Sequence, residues 1–321
     1  MSGLIRYSFE RVLWAVPVLL GASFITFTIT HLAPGDPAQF MLGDTATPER
    51  LESLREELGL NDPFHIQFYS FLTGAVQGDL GMSVRSRQPV SEMIRHHLPY
   101  TVQLGVASLL VSLAVSFPLG ILSAVNKDTV TDQGSRVVAL LGISVPNFWL
   151  GLVLILLIAV RVSAIPLYGM TLVTDDLVQG IYSTILPAIA LGTAMAAIVM
   201  RLIRGGVLDE LSKGYVQTAH AYGIDRREVV YVYVLKNAVL PTITVIGLQM
   251  GYLMGGSVII ETVFGIPGIG RLALQAIFQQ DLPVLQGVIL LVAVAFIAIN
   301  LLVDITYTVL DPRIRYGGED S

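Results

Sequence analysis

Six stretches of this chain hold no Asp, Glu, Lys or Arg, and each is long enough to cross a hydrocarbon layer: 12–32, 98–125, 137–160, 177–200, 238–260 and 282–303. The shortest has 21 residues, which at a helical rise of about 1.5 Å spans about 31 Å. In lipid every backbone N–H and C=O must be satisfied within the protein, so spanning segments are helices or closed barrels. Barrel strands alternate apolar and polar residues, whereas these runs are apolar throughout. The expected fold class is therefore an all-α membrane protein with six transmembrane helices. Composition agrees, with 54% hydrophobic and 13% charged residues. The chain has no cysteine, which excludes disulfides, thiolate metal sites and cysteine nucleophiles.

Lys and Arg placement sets the expected orientation. With the N-terminus inside, the inner segments hold twelve of these residues and the outer ones seven, five of them in one long loop. The inner set includes Arg6, Arg11, Lys127, Arg136, Arg313 and Arg315. Both termini and the polar stretch at 212–241 are thus expected in the cytoplasm, in a cell membrane. Arg6 and Arg11 ahead of the first run resemble a secretory signal. That run is too long for a cleaved core and no Ala-x-Ala site precedes Pro34, so a retained anchor is expected.

The long outer loop, 33–97, carries its own helix signals. Pro34-Gly35-Asp36-Pro37 is a turn cluster. A helix follows, with Thr47 as cap, Pro48 at its first position, Gly59 at its end and Leu51, Leu54 and Leu58 as its apolar stripe. A second begins at Asp62-Pro63 with Phe64, Phe68 and Phe71 on one side, read as a core or membrane-resting face. Gly78 and Gly81 then turn the chain. Within the spans, Ser108, Ser112, Ser116 and Gly120, and Gly247, Gly251 and Gly255, recur at four-residue intervals. Small residues at that spacing let helix backbones approach. They read as bundle packing, or as faces that slide or line a cavity. Pro118 and Pro146 interrupt their spans. Asn147 and Trp149 beside Pro146 are candidates for lining a cavity, with core filling the other reading for Trp149.

Between the fourth and fifth runs, residues 212–241 read as a helix–Gly–helix elbow. Gly223 ends the first helix in a left-handed conformation. Asp225 caps the second, and Glu228 three residues on completes a capping box. Pro241 stands near the start of the next run, where a missing N–H costs little. Such an elbow suits docking to a soluble partner; shape alone also fits a plain connecting loop.

The stretch Tyr215-Val-Gln217-Thr218-Ala219-His-Ala221-Tyr-Gly223, with Asn237 and Pro241 downstream, resembles the cytoplasmic loop of ABC importer permeases of the dipeptide/oligopeptide branch. Gln217 stands where that loop usually has Glu. A second resemblance to the same branch lies in Glu261-Thr-Val-Phe-Gly-Ile-Pro267-Gly268-Ile-Gly270-Arg271, then Asp281-Leu-Pro, an outer loop with gate candidates. Glu261 has two readings, an ion pair with Arg271 or an aqueous vestibule. Leu58 to Pro63 and Gly78 to Gly81 resemble the outer cap of that branch, near where a binding protein docks. The resemblance covers about residues 1–316. It implies the type I importer permease fold, with an extracytoplasmic helical segment between helices 1 and 2. It divides the chain into 1–97, a permease core at 98–308 and a tail at 309–321, with coupling loop 204–237. It also implies a sister permease subunit, two ATPases that bind ATP-Mg, and an external binding protein. Peptides are the implied substrates, with nickel or glutathione carried by relatives.

The chemistry that is missing narrows the function. No Gly-Lys-Ser/Thr phosphate loop and no His-Glu-x-x-His occurs. The five histidines lack ligand spacing. No cofactor, metal or nucleic acid is expected of this chain, and no apolar run carries the carboxylate an ion-coupled carrier would use. A transport subunit driven from outside is the reading, with an ion-coupled transporter or channel as the alternative.

Overall fold

The computed structural model describes residues 2–32, 36–42, 46–57 and 59–310. Pro34, Gly35, Leu58, Arg313 and Arg315 lie outside the described residues. Within them the chain is helical, with one isolated bridge between Met82 and Pro89 and no strand.

Helices α5 (Val90–Val125) and α8 (Leu177–Leu211) form the centre. Their small residues bring the backbones into contact. A Cβ at Gly192 of α8 would sit 2.6 Å from the Ser108 carbonyl oxygen of α5, and one at Gly120 would sit 3.0 Å from that of Met200. Ser108, Ser112 and Ser116 are buried on this face, so the expected four-residue stripe is a packing seam. Leu104, Leu191, Met195, Val199 and Ile203 pack around it. The seam is pinned at one end by Gln103, which donates to Thr184 Oγ1 (2.7 Å) and to the Thr171 carbonyl (3.0 Å). Burial within the chain falls outward from this pair: 61% of the apolar window of α8 is covered, against 22% for α1 (Ser2–Leu32) and 6% for α15 (Leu282–Leu310). The outermost helices thus leave much more of their apolar surface uncovered by the chain itself, open to lipid or to another subunit.

Two of the six runs are not straight spans. Run 137–160 is split between α6 (Val130–Ser144) and α7 (Asn147–Leu154), which continues as a π turn at Ile155–Ala159. The two parts meet at 98°. Pro146 is the cause: its ring forces Val145 into an extended conformation (ψ 122°), which no helix can pass. Run 238–260 breaks at Val239 by 53° and again at Ser257, giving α12 (Leu240–Gly256) and α13 (Val258–Val263). Pro241, near the start of α12, has no N–H to continue the preceding helix. By contrast, α5 passes Pro99 and Pro118 as one helix. Among the described residues, four helices are long and apolar enough to cross a membrane, and up to six if each bent pair is one span. In α12, Gly247 meets Val303 and Gly251 meets the Phe296 ring of α15. Gly251 is therefore a packing position rather than a cavity wall.

The segment between α1 and α5 folds as α2 (Pro37–Leu42), α3 (Pro48–Glu57) and α4 (Phe64–Val76). Thr47 caps α3 through the Arg50 N–H (3.4 Å), and Gly59 is left-handed (φ 65°). The aromatic stripe of α4 meets α1: Phe64, Phe68 and Phe71 surround Phe27 at centroid distances of 5.2, 5.4 and 5.6 Å. Edge and tilted ring contacts of this kind add to the apolar burial.

The seam can be tested by adding one methyl group. Gly192→Ala should destabilise the detergent-solubilised protein by about 2 kcal/mol, because the new Cβ must force two backbones apart. Gly205→Ala on the same helix meets nothing within 4 Å and should raise or leave unchanged the melting temperature. Equal melting of the two variants would contradict backbone contact at Gly192.

Candidate functional site

Helix α8 runs on to Leu211, so residues 204–211, expected in the loop, are a helical extension of the span. Helix α9 (Gly214–Ala221) follows after a tight turn. Glu210, largely buried in the last turn of α8, accepts from Lys213 Nζ (2.5 Å) and Tyr215 Oη (2.8 Å). This fixes the angle between α8 and α9. Burial pushes the Tyr215 phenol above its usual pKa, and its bond to Glu210 adds to the shift. Val216 is buried and Ala219 packs on the core, while Gln217, Thr218, Ala221 and Tyr222 face outward, Tyr222 at 83% exposure.

Gly223 ends α9 at φ 77°. No atom lies within 4 Å of where its Cβ would be, so the backbone angle alone demands glycine there. Asp225 caps the next turn, but its carboxylate accepts from Arg227 N–H (3.0 Å) and not from Glu228. The cap forms without the expected box. The second limb is also longer than a short helix. It comprises α10 (Arg226–Glu228), a π turn at Val229–Val234 and α11 (Leu235–Ala238), ending at the 53° bend before Pro241. Val229, Val230 and Val234 bury this limb in the core. Arg226 Nη2 donates to the Val125 carbonyl at the end of α5 (2.9 Å). Asn237 donates back to the Tyr233 carbonyl (3.3 Å).

At the opposite end of α8, α13 leads through Pro267 and Gly268 into α14 (Ile269–Gln279). Glu261 is fully buried, and neither expected reading describes it. Its carboxylate accepts from Thr101 Oγ1 (2.8 Å), Ser257 Oγ (2.7 Å) and the backbone N–H of Arg271 (2.8 Å). It takes the peptide group of Arg271, not the guanidinium. Thr101 in turn accepts the Ile269 N–H (2.8 Å). Two orphan donors of the first turn of α14 are thus capped from outside that helix, and the negative charge sits at its positive end. The glycines follow from this: a Cβ at Gly268 would overlap the Glu261 carboxylate, and one at Gly270 would lie 2.7 Å from Val258 Cγ2. Asp281 is buried as well. It accepts from Ser83 Oγ (2.5 Å) and from the N–H groups of Val84 (3.2 Å) and Arg85 (3.4 Å), clasping the turn that precedes α5.

Asn147 and Trp149 open α7, with Trp149 half exposed. Gly255 belongs to α12, and its packing lies outside the described residues. A cavity of about 510 Å³ lies elsewhere, between α1, α4 and the start of α15, lined in part by Phe27, His31, Phe71 and Gln286. Among the described residues no cluster of three His, Asp or Glu side chains could hold a metal. Sequence patterning also passes over Asp132, which is fully buried where α5, α6 and α8 meet. The one local signal is Thr129, the α6 cap, three residues before it.

This architecture belongs to a known class. Residues 116–316 match the family described as the binding-protein-dependent transport system inner membrane component, and residues 4–105 match its N-terminal part. The chain belongs to this family of multi-pass membrane permeases, in which ATP hydrolysis falls to a separate subunit and the permease itself is not an enzyme. Among its relatives, the dipeptide transport system permease protein DppB of Alkalihalophilus pseudofirmus is 38% identical over 333 residues, covering 98% of this chain and all of the relative. DppB of Escherichia coli K12 is 38% identical over 98% of this chain and 99% of its own. A putative peptide transport system permease of Brucella abortus is 39% identical over 96% and 98%. In structure, the chain matches one from inward-facing crystals of the MetNI methionine ABC transporter, with a TM-score of 0.55 at 16% identity over 68% of this chain and 96% of that one. The fold is that of a type I ABC importer permease.

The Glu261 cap predicts a specific loss. Glu261→Gln keeps the shape but turns a donor toward either the Arg271 N–H or the two hydroxyls, and should cost about 2 kcal/mol. Hydrogen exchange at the Ile269 and Arg271 amides should speed up in the variant. Unchanged exchange there would contradict the cap.

Proposed function

We propose that this chain is one permease subunit of an ATP-driven, binding-protein-dependent importer of dipeptides or short oligopeptides. The relatives named above supply the substrate class. The observation that carries the coupling is the elbow: α9 stands out from the end of α8 at an angle held by Glu210, exposes Gln217, Thr218, Ala221 and Tyr222, and turns back at Gly223. A soluble ATPase that grips this helix moves α8 directly. The ATPases bind ATP-Mg, and this chain binds no cofactor. A sister permease completes the path, two ATPases drive it, and an external binding protein delivers substrate. Both termini and the elbow lie in the cytoplasm, and the Glu261 to Asp281 loop lies outside, where it takes part in closing the path. The cycle is alternating access between two states of a bundle whose parts move as rigid bodies.

Gly223→Val tests the elbow. A β-branched side chain in the left-handed region costs about 1–2 kcal/mol, so the turn should reopen with no other clash. The variant should reach the membrane at wild-type yield and lose the ATPase in a pull-down. Normal recovery of the ATPase with the variant would contradict docking at this turn.

A further inference from the structure

Asp132 stands where α5, α6 and α8 meet, with polar partners from all three. Its side chain is fully buried. Arg204 of α8 holds it in a two-pronged grip, Nε to Oδ1 at 2.8 Å and Nη2 to Oδ2 at 2.9 Å. Ser123 of α5 donates to Oδ1 (2.6 Å) and accepts from Arg204 Nε (3.0 Å). The Asp128 N–H in the α5–α6 turn donates to Oδ2 (3.0 Å), and Arg136, one turn further along α6, approaches the same oxygen (3.2 Å). One carboxylate therefore ties three helices together at the elbow end of the bundle.

Resting on the coupling role proposed above, we infer that Asp132 and Arg204 are positioning residues for transport, the joint through which motion of the elbow reaches α5 and α6. Arg204 lies within two turns of Glu210, the residue that holds α9 to α8. Arg226, just past the Gly223 turn, holds the Val125 carbonyl, two residues beyond Ser123. Both limbs of the elbow are thus held within two turns of this knot, one at Glu210 and one at Val125. A buried ion pair is a poor source of stability, because desolvation offsets most of its attraction. It is a strict source of geometry. Any slide of α8 along α5 or α6 would pull Arg204 off the buried carboxylate and leave it only the half-exposed Arg136 as a cation, so the three ends move together. An apolar contact of the same size tolerates small slides and transmits a push less faithfully.

The test separates holding the fold from transmitting motion. In the assembled transporter, Asp132→Leu combined with Arg204→Met removes both charges, keeps the volume near its original value and leaves no buried orphan ion, since the remaining Arg136 is half exposed. The pair variant should assemble with the ATPase and continue to hydrolyse ATP, while peptide transported per ATP falls by about tenfold, within the usual range of coupling between linked sites. Each single variant should lose stability and transport together. If the pair variant transports as much per ATP as the wild type, the joint is only structural and the inference is overturned. Cross-linking from Tyr222 to the ATPase in the wild type keeps the two readings apart. Its absence refutes the elbow, whereas its presence with normal transport in the pair variant refutes the joint alone.

Discussion

The approach of α5 to α8 is the constraint from which the remaining geometry follows. Two backbones meet where Gly192 faces Ser108 and Gly120 faces Met200. In lipid this closeness cannot come from expelling water, since the surrounding tails are as apolar as the side chains. It comes from dispersion contacts over a smooth seam and from polar pins at its ends. Gln103 supplies the pins at one end and the Asp132–Arg204–Ser123 knot supplies them at the other. The result is a two-helix rod that carries the elbow at one tip. At its other tip, Thr101 meets the Glu261 cap.

Two of the other spans are built differently. The pair α6–α7 is bent by 98° at Pro146, and the chain entering α12 is bent by 53° at Val239. Broken helices beside an unbroken rod give a molecule with stiff and jointed parts. The polar side chains follow the same division. Among the described residues the buried carboxylates, Asp132, Glu210, Glu261 and Asp281, all have hydrogen-bond partners. Among the described residues, the hydroxyls of Ser112 and Ser116 are buried in the α5–α8 seam with no partner, a modest cost where close approach is the purpose, and that of Thr242 in α12 is buried likewise.

Much of this was legible from residue order. A bilayer excludes charge, so the uncharged runs mark the membrane helices. The break at Pro146 was legible locally, but Pro118 carries the same signal and α5 passes it as one helix. Helix caps are equally local, which is why Thr47, Gly59, Gly223 and Asp225 stand where their spacing put them. What could not be read are pairings between distant segments. Glu261 and Thr101 lie 160 positions apart, Asp281 and Ser83 198, and Asp132 and Arg204 72. Arg271 was a natural partner for Glu261 by charge, yet the helix end offered a peptide N–H closer at hand. The missing box at Glu228 has a similar origin: the limb widens into a π turn at once, and Asp225 reaches Arg227 instead.

The central claim is that α5 and α8 move as one body, and it can be measured directly because the chain has no native cysteine. Spin labels at Leu122 on α5 and Arg201 on α8, both exposed, report distance within the rod. Labels at Leu122 and Leu302 report its distance from α15. In the assembled transporter, the account predicts that trapping the ATP-bound state leaves the first distance unchanged and alters the second. A change in the 122-to-201 distance, or no change in either, would contradict it.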